Sequence, residues 1–293
     1  MANSPFKKWP PLIEKSIDEL LPMETERPGS LHNAMRYTAL GGGKRLRGVL
    51  ALAAVEAVGG KAEPIMPAAV AVELVHSYSL IHDDLPCLDN DALRRGKAAN
   101  HIVFGEALAL LAGDALLTEA FFILTRLEEA NVPSSLVMQA VKILSAAAGS
   151  HGMVAGQVED IANIGTVDLA TLDWINDRKT GALITASLLI GGVLGGGTQV
   201  DLNNLQSYGE KIGRAFQIID DLLDVVGSTE NMGKHCGSDR AAGKVTYPNI
   251  LGVDKAKQVA VQLIGEARAA LSNLSGDITS LLDIAEFIIA RDR

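Results

Sequence analysis

Apolar positions recur at spacings of three and four along most of this chain, most clearly over residues 12–21, 67–82, 104–127, 135–149, 205–226 and 255–274. That period marks one face of an α-helix. Ala and Leu fill many of these positions, and both favour helix. Alternating runs of Val, Ile and Thr are scarce, and the hairpin dipeptides Asn-Gly and Asp-Gly do not occur. The pattern predicts an all-α protein. Breaks fall at Pro28-Gly29, Gly41–Gly43, Gly59-Gly60, residues 131–133, Gly195–Gly197 and the Gly-rich stretch 227–248. None reads as a long linker, so one helical domain over residues 1–293 is expected. No internal repeat of fixed period is present. Several segments are too apolar for a small up-down bundle. Some helices must be surrounded by others, or bury a face against a second subunit.

Residues 180–200 carry no charge over 21 positions, long enough to span a bilayer. Glycines at 181, 191, 192 and 195–197 argue instead for a buried core helix over 181–194, ended by the glycine triplet. No apolar run follows the first nine residues, so no secretory signal is read. The only cysteines, Cys87 and Cys236, make no disulfide framework. A reducing, cytoplasmic setting is expected, although an organellar protein relieved of its transit peptide would look the same. With 48% hydrophobic residues, intrinsic disorder is excluded. A net charge of −9 argues against a nucleic-acid binder.

Two acidic clusters stand out on otherwise apolar helices. The first is His82-Asp83-Asp84-Leu85-Pro86-Cys87-Leu88-Asp89-Asn90-Asp91. Pro86 should end the helix near Leu85, which puts Asp83 and Asp84 in its last turn. Six residues turn a helix by about 240°, so Asp89 must fold back from the loop. Carboxylates there face the negative end of the helix dipole, and something positive should offset them. The second cluster is Gln217, Asp220, Asp221 and Asp224, in the last two turns of another helix. Gln217, Asp220 and Asp224 share a stripe. One such pair would read as a solvated acidic helix end. Two suit Mg²⁺, which is held by a few carboxylates together with water and substrate phosphates.

Phosphate needs cations as well. Gly41-Gly42-Gly43-Lys44-Arg45-Leu46-Arg47 is a basic, Gly-rich turn into a helix, without Walker spacing. Arg94-Arg95 follow the first acidic cluster and suit bidentate phosphate contacts. His76 lies two turns before Asp83 on the same face. Lys179-Thr180 opens the uncharged stretch, and Lys234 and Lys244 lie in the Gly-rich loop, whose length and composition suit a lid.

In combination, Gly42–Arg47, His82–Asp91 with Arg94-Arg95-Gly96, and Gln217–Asp224 resemble the trans-prenyltransferases, the polyprenyl diphosphate synthases, most closely those of bacterial farnesyl and plant geranylgeranyl type. Gly156-Gln157, Lys179-Thr180-Gly181, Gly237-Ser238-Asp239 and Gly243–Pro248 support the likeness, which runs from about Arg36 to the C-terminal Arg293. The resemblance implies an isoprenoid-synthase-type bundle, with central helices around an apolar cavity, and a homodimer. It implies that an allylic diphosphate ionises and that isopentenyl diphosphate attacks the cation. It further implies several Mg²⁺ ions, or Mn²⁺, on Asp83, Asp89, Asp220 and Asp224, with Asp84 and Asp221 assisting. Arg94, Lys179, Thr180, Gln217, Lys234 and Lys244 would lie on the allylic diphosphate. Lys44, Arg47, His76 and Arg95 would hold isopentenyl diphosphate. Tyr78, five residues before Asp83, and its neighbour Ser79 occupy the family's chain-length positions, and an aromatic there resembles the farnesyl (C15) pattern; C20 and C10 remain open. Gly48 departs from the family, which usually has Pro there. Rival readings are a terpene cyclase, an HD-type metal phosphohydrolase suggested by His82-Asp83, and a non-catalytic partner subunit.

Overall fold

Helix accounts for almost all regular structure in a computed structural model that describes residues 4–163, 165, 167–226 and 244–291. The helices are α1 (Pro5–Lys8), α2 (Pro10–Leu20), α3 (Gly29–Ala39), α4 (Leu46–Ala57), α5 (Met66–Asp83), α6 (Asn100–Phe104), α7 (Glu106–Thr125), α8 (Ser134–Ala148), α9 (Met153–Ala162), α10 (Leu169–Asn176), α11 (Ala182–Leu194), α12 (Gln199–Val226), α13 (Tyr247–Leu251), α14 (Val253–Ala270) and α15 (Thr279–Ile289). Among the described residues the only strands are Leu93–Arg94 and Lys97–Ala98, which pair antiparallel with Leu93 opposite Ala98. The all-α expectation holds. The helix expected over 104–127 is interrupted at Gly105, whose φ of 83° favours glycine.

The most apolar helices lie inside. On α5 every residue from Ala68 to Val75 is buried, and the helix packs against α2, α3, α4, α7 and α11. Within residues 181–194, α11 packs against α4, α8 and α12. A Cβ on Gly191 would stand 2.1 Å from the Ala51 carbonyl oxygen, so this glycine lets α11 touch the α4 backbone. The uncharged 180–200 stretch is therefore split, as expected, into a 13-residue core helix and a glycine turn. Two other stretches, Glu63–Asp83 and Glu106–Ala130, are long and apolar enough to cross a membrane; 67% of the first stretch's apolar window and 39% of the second's are buried inside the protein. The second long amphipathic helix, α12, lies against α11, α14 and α15.

Candidate active site

Helix α5 stops at Asp83, and the Asp89 amide donates to the Asp83 carbonyl oxygen at 2.8 Å, returning the loop over the helix end. Asp84 turns inward and is buried. Its carboxylate accepts from the Arg94 guanidinium, with Nε at 2.9 and 3.1 Å from the two oxygens. Arg94 also reaches Asp91 at 3.2 Å. This guanidinium supplies the positive charge that the helix end requires.

The same division of roles recurs on α12. Asp221 is buried, accepting from Gln217 Nε2 and from the Tyr247 amide, each at 2.9 Å. Asp220 is exposed and accepts from Arg291 Nη2 at 3.1 Å. Asp224 follows one turn later, half-buried. Gln217 is itself oriented, since its Oε1 accepts from Thr180 Oγ1 at 2.9 Å.

A cavity of about 450 Å³ joins these ends. Asp83, Asp220, Lys179, Thr180 and Gln217 line it together with Arg47, His76, Tyr78 and Ser79. Leu88, Met153, Val154, Val158, Ile161 and Phe216 give it an apolar wall. Two acidic clusters more than a hundred positions apart thus face one space. Burial raises the Asp83 carboxyl pKa; Asp89 and Asp84 add to the rise, while Lys179 and Arg94 oppose it.

Lysines approach this acidic mouth through a carboxylate that the sequence pattern did not single out. Asp160 of α9 pairs with Lys179 at 2.6 Å and lies 3.7 Å from Lys244, whose ammonium also reaches Asp89 at 3.2 Å. Asp160 follows Gly156-Gln157 by one turn and reads as an ordinary polar helix position. Only the packing of α9 identifies it. Lys179 and Thr180 lie in a π-helical turn, Asp177–Gly181. A Cβ on Gly156 would stand 2.2 Å from the Lys179 amide nitrogen, so α9 and the π turn meet backbone to backbone. On the turn's other side is a second groove of about 510 Å³, lined by small and apolar residues with His151, Arg178 and Glu210.

The basic loop closes the opposite side. Gly42, Gly43 and Arg45 take positive φ. Arg95 donates to the Gly42 carbonyl, and its Cζ would lie 2.8 Å from a Cβ on Gly43. Lys44 Nζ sits over the Phe287 ring, 4.7 Å from its centre. Burial lowers the Arg47 pKa to about 10; Glu73 opposes the shift and Arg95 adds to it. Burial, then Arg47 and Arg95, hold His76 well below the usual imidazole range. Arg47 Nε and Arg45 Nη1 are buried without a hydrogen-bond partner. Uncompensated donors and crowded cations of this kind are relieved by an anion.

Tyr78 is buried edge-on to His82, with ring centres 5.6 Å apart. The Ser79 hydroxyl donates to the His76 carbonyl. His82 Nε2 lies 3.0 Å from the Leu110 carbonyl oxygen, a packing contact between α5 and α7. Lys234 falls outside the described residues. Among those described, no three His, Cys, Asp or Glu side chains are close enough to hold a metal ion by themselves. The acidic donors facing the cavity are carboxylate oxygens on two opposed helix ends. They fit Mg²⁺, which relies on a ligand's phosphates to complete its oxygen set.

Comparisons with known proteins converge. A family profile described as Polyprenyl synthetase matches residues 28–281. The chloroplastic geranylgeranyl pyrophosphate synthase of Capsicum annuum is 46% identical over 283 residues, covering 96% of this chain and 76% of that protein. The crystal structure of an FPP/GFPP synthase from Zymomonas mobilis matches with a TM-score of 0.87 at 37% identity, over 97% of both chains. Geranylgeranyl pyrophosphate synthetase from Pyrococcus horikoshii Ot3 matches with a TM-score of 0.89 at 32% identity, over 98% of this chain and 97% of that one.

Proposed function

This chain belongs to the polyprenyl synthetase family, and from that premise we propose that it condenses isopentenyl diphosphate with an allylic diphosphate to give geranylgeranyl diphosphate (C20). The observation that carries the chemistry is the shared cavity, which Asp83 and Asp220 enter from opposed helix ends beside Lys179 and Gln217. The names of the relatives support C20 over the C15 product expected from Tyr78. Tyr78 itself, lining the cavity five residues before Asp83, is what favours C15.

The allylic tail lies along the apolar wall of Met153, Val154, Val158 and Phe216, which keeps water from the reacting carbon. Its diphosphate sits at the acidic mouth, where Lys179 and Lys244 leave Asp160 and Asp89 to meet it. Thr180 and Gln217 hold the adjoining polar edge. Asp83, Asp89, Asp220 and Asp224 would hold Mg²⁺, which would supply positive charge to the leaving diphosphate. Asp84 and Asp221, tied to Arg94 and to Gln217 and Tyr247, fix the helix ends that present those ligands. In its resting geometry Arg94 is bound to Asp84 and Asp91, so its role is to secure that end and to border the diphosphate. Arg47 and His76, with Lys44 and Arg95 behind them, hold isopentenyl diphosphate, and His76 acts as a neutral donor. The allylic C–O bond breaks, and the isopentenyl double bond attacks the freed carbon. A proton then leaves the adjacent carbon to restore a double bond, with the departed diphosphate as acceptor.

We also propose a homodimer. Helices α6, α7 and α8 expose Ile102, Leu111, Phe122 and Met138. Leu111 and Phe122 are three turns apart on one face of α7, an apolar stripe suited to a second copy.

Labelled isopentenyl diphosphate with C5, C10 and C15 primers and Mg²⁺ tests both the reaction and its product. Chain extension that ends at C20 and stops on chelation is the expected result. Absence of condensation would favour a non-catalytic partner, and release of free phosphate a hydrolase. Tyr78→Ala should lengthen the product if the ring floors the tail pocket. An unchanged product distribution removes Tyr78 from that role.

A further inference from the structure

Helix α4 begins without the usual cap. Its N-cap residue is Arg45, in left-handed conformation, and no side chain of its own caps the first turn. Helices ordinarily place Ser, Thr, Asp or Asn there to accept from the second or third amide. Here the third amide, that of Gly48, donates at 2.9 Å to Glu73 Oε1, which comes from the middle of α5. Glu73 is almost wholly buried. Its other oxygen lies 3.9 Å from Arg45 Nη1, and Arg45 reaches Glu14 at 3.3 Å on its outer side. A negative charge at a helix N-terminus is favourable, and a buried one needs such partners.

We propose that Glu73 is a positioning residue for the second diphosphate: it caps α4 from across the core and so fixes the direction in which Arg47 enters the cavity. Arg47 is the second residue of α4, between the capped amide and the left-handed Arg45. His76, the other wall of that subsite, stands three residues after Glu73 on the same helix. One carboxylate therefore registers both halves of the subsite against each other. It is also the buried anion that opposes the loss of charge on Arg47 and Arg95. The device depends on Gly48. A proline at this position would have no N–H to give. A Cβ at this position would approach the Ala69 carbonyl to 3.1 Å.

This inference rests on the reading that Arg47 and His76 hold isopentenyl diphosphate. The test is the double variant R45M/E73M, which removes the cap together with the cation nearest to it. Its KM for isopentenyl diphosphate should rise about fivefold to tenfold, the size of a lost cap. The KM for the allylic substrate and kcat should stay within about twofold, a split that a general loss of structure does not produce. An unchanged KM for isopentenyl diphosphate in the folded variant, or an equal rise in both KM values with a fall in kcat, overturns the proposal. Should that variant not fold, E73Q carries the test: it keeps an acceptor and loses the charge, so a smaller rise, about threefold, is expected. No rise overturns the proposal. A wild-type enzyme that performs no condensation would instead overturn the functional reading itself.

Discussion

At the scale of single residues, His76 sets a pH response. Its folded pKa is depressed, so on acidification the unfolded chain takes up the proton first. The stability gained by burying a neutral ring is therefore present above about pH 6.5 and lost as pH falls below it. Melting temperature should drop between pH 7 and 5.5, and H76Q should flatten that part of the curve. An equally steep drop in the variant would separate the effect from His76. The aspartates divide more sharply. D220N should lower kcat about a hundredfold with little change in melting temperature. D221N, deprived of the charge that Gln217 and the Tyr247 amide meet, should cost about 1–3 kcal/mol in a urea melt. If the two variants behave alike, the assignment of outward and inward roles is wrong. The helix stripe sets Asp220 apart from Asp221 but does not say which of the two is buried. A step of about 100° around the helix separates them, and which of the two faces the core depends on what packs there.

Elements carry the next layer. The helix pattern placed α5 and α8 within a residue of their bounds, because each repeats at helical spacing, whereas α12 starts six residues before the predicted 205 and α14 ends four before the predicted 274. It could not show the π turn, where one extra residue lets Lys179 and Thr180 face the cavity while Arg178 lines the groove behind. Asp160 was illegible for the same reason: its partners, Lys179 and Lys244, come from elsewhere in the chain. Gly156→Ala tests this joint. Its methyl group would meet Lys179 and Ile175 backbone atoms, which cannot swing aside as a side chain can. A cost of about 1–3 kcal/mol is expected, together with a fall in kcat as the turn shifts. Stability and kcat both at wild-type level would mean that the two backbones are not locked together.

For the whole molecule, the meeting of the two Asp-rich ends was legible, because phosphate chemistry requires it. The residues that wall the cavity were not. Its wall of Met153, Val154 and Val158 comes from α9, whose apolar positions resemble any core face. The exposed stripe on α7 makes its own claim. L111E/F122E should convert a dimer to monomer in sedimentation, and an unchanged sedimentation coefficient would place any interface elsewhere. Helices α1 and α15 are also tied to the basic loop and to the rim of the cavity. Phe6 of α1 and Phe287 of α15 pack with ring centres 4.4 Å apart and planes tilted by 44°, and Lys44 of the basic loop rests on the second ring. A few residues later, Arg291 covers Phe216 and reaches Asp220. Deleting α1, far from any chemistry in the linear order, should therefore unseat α15 and blunt turnover, so neither helix is a neutral place to cut.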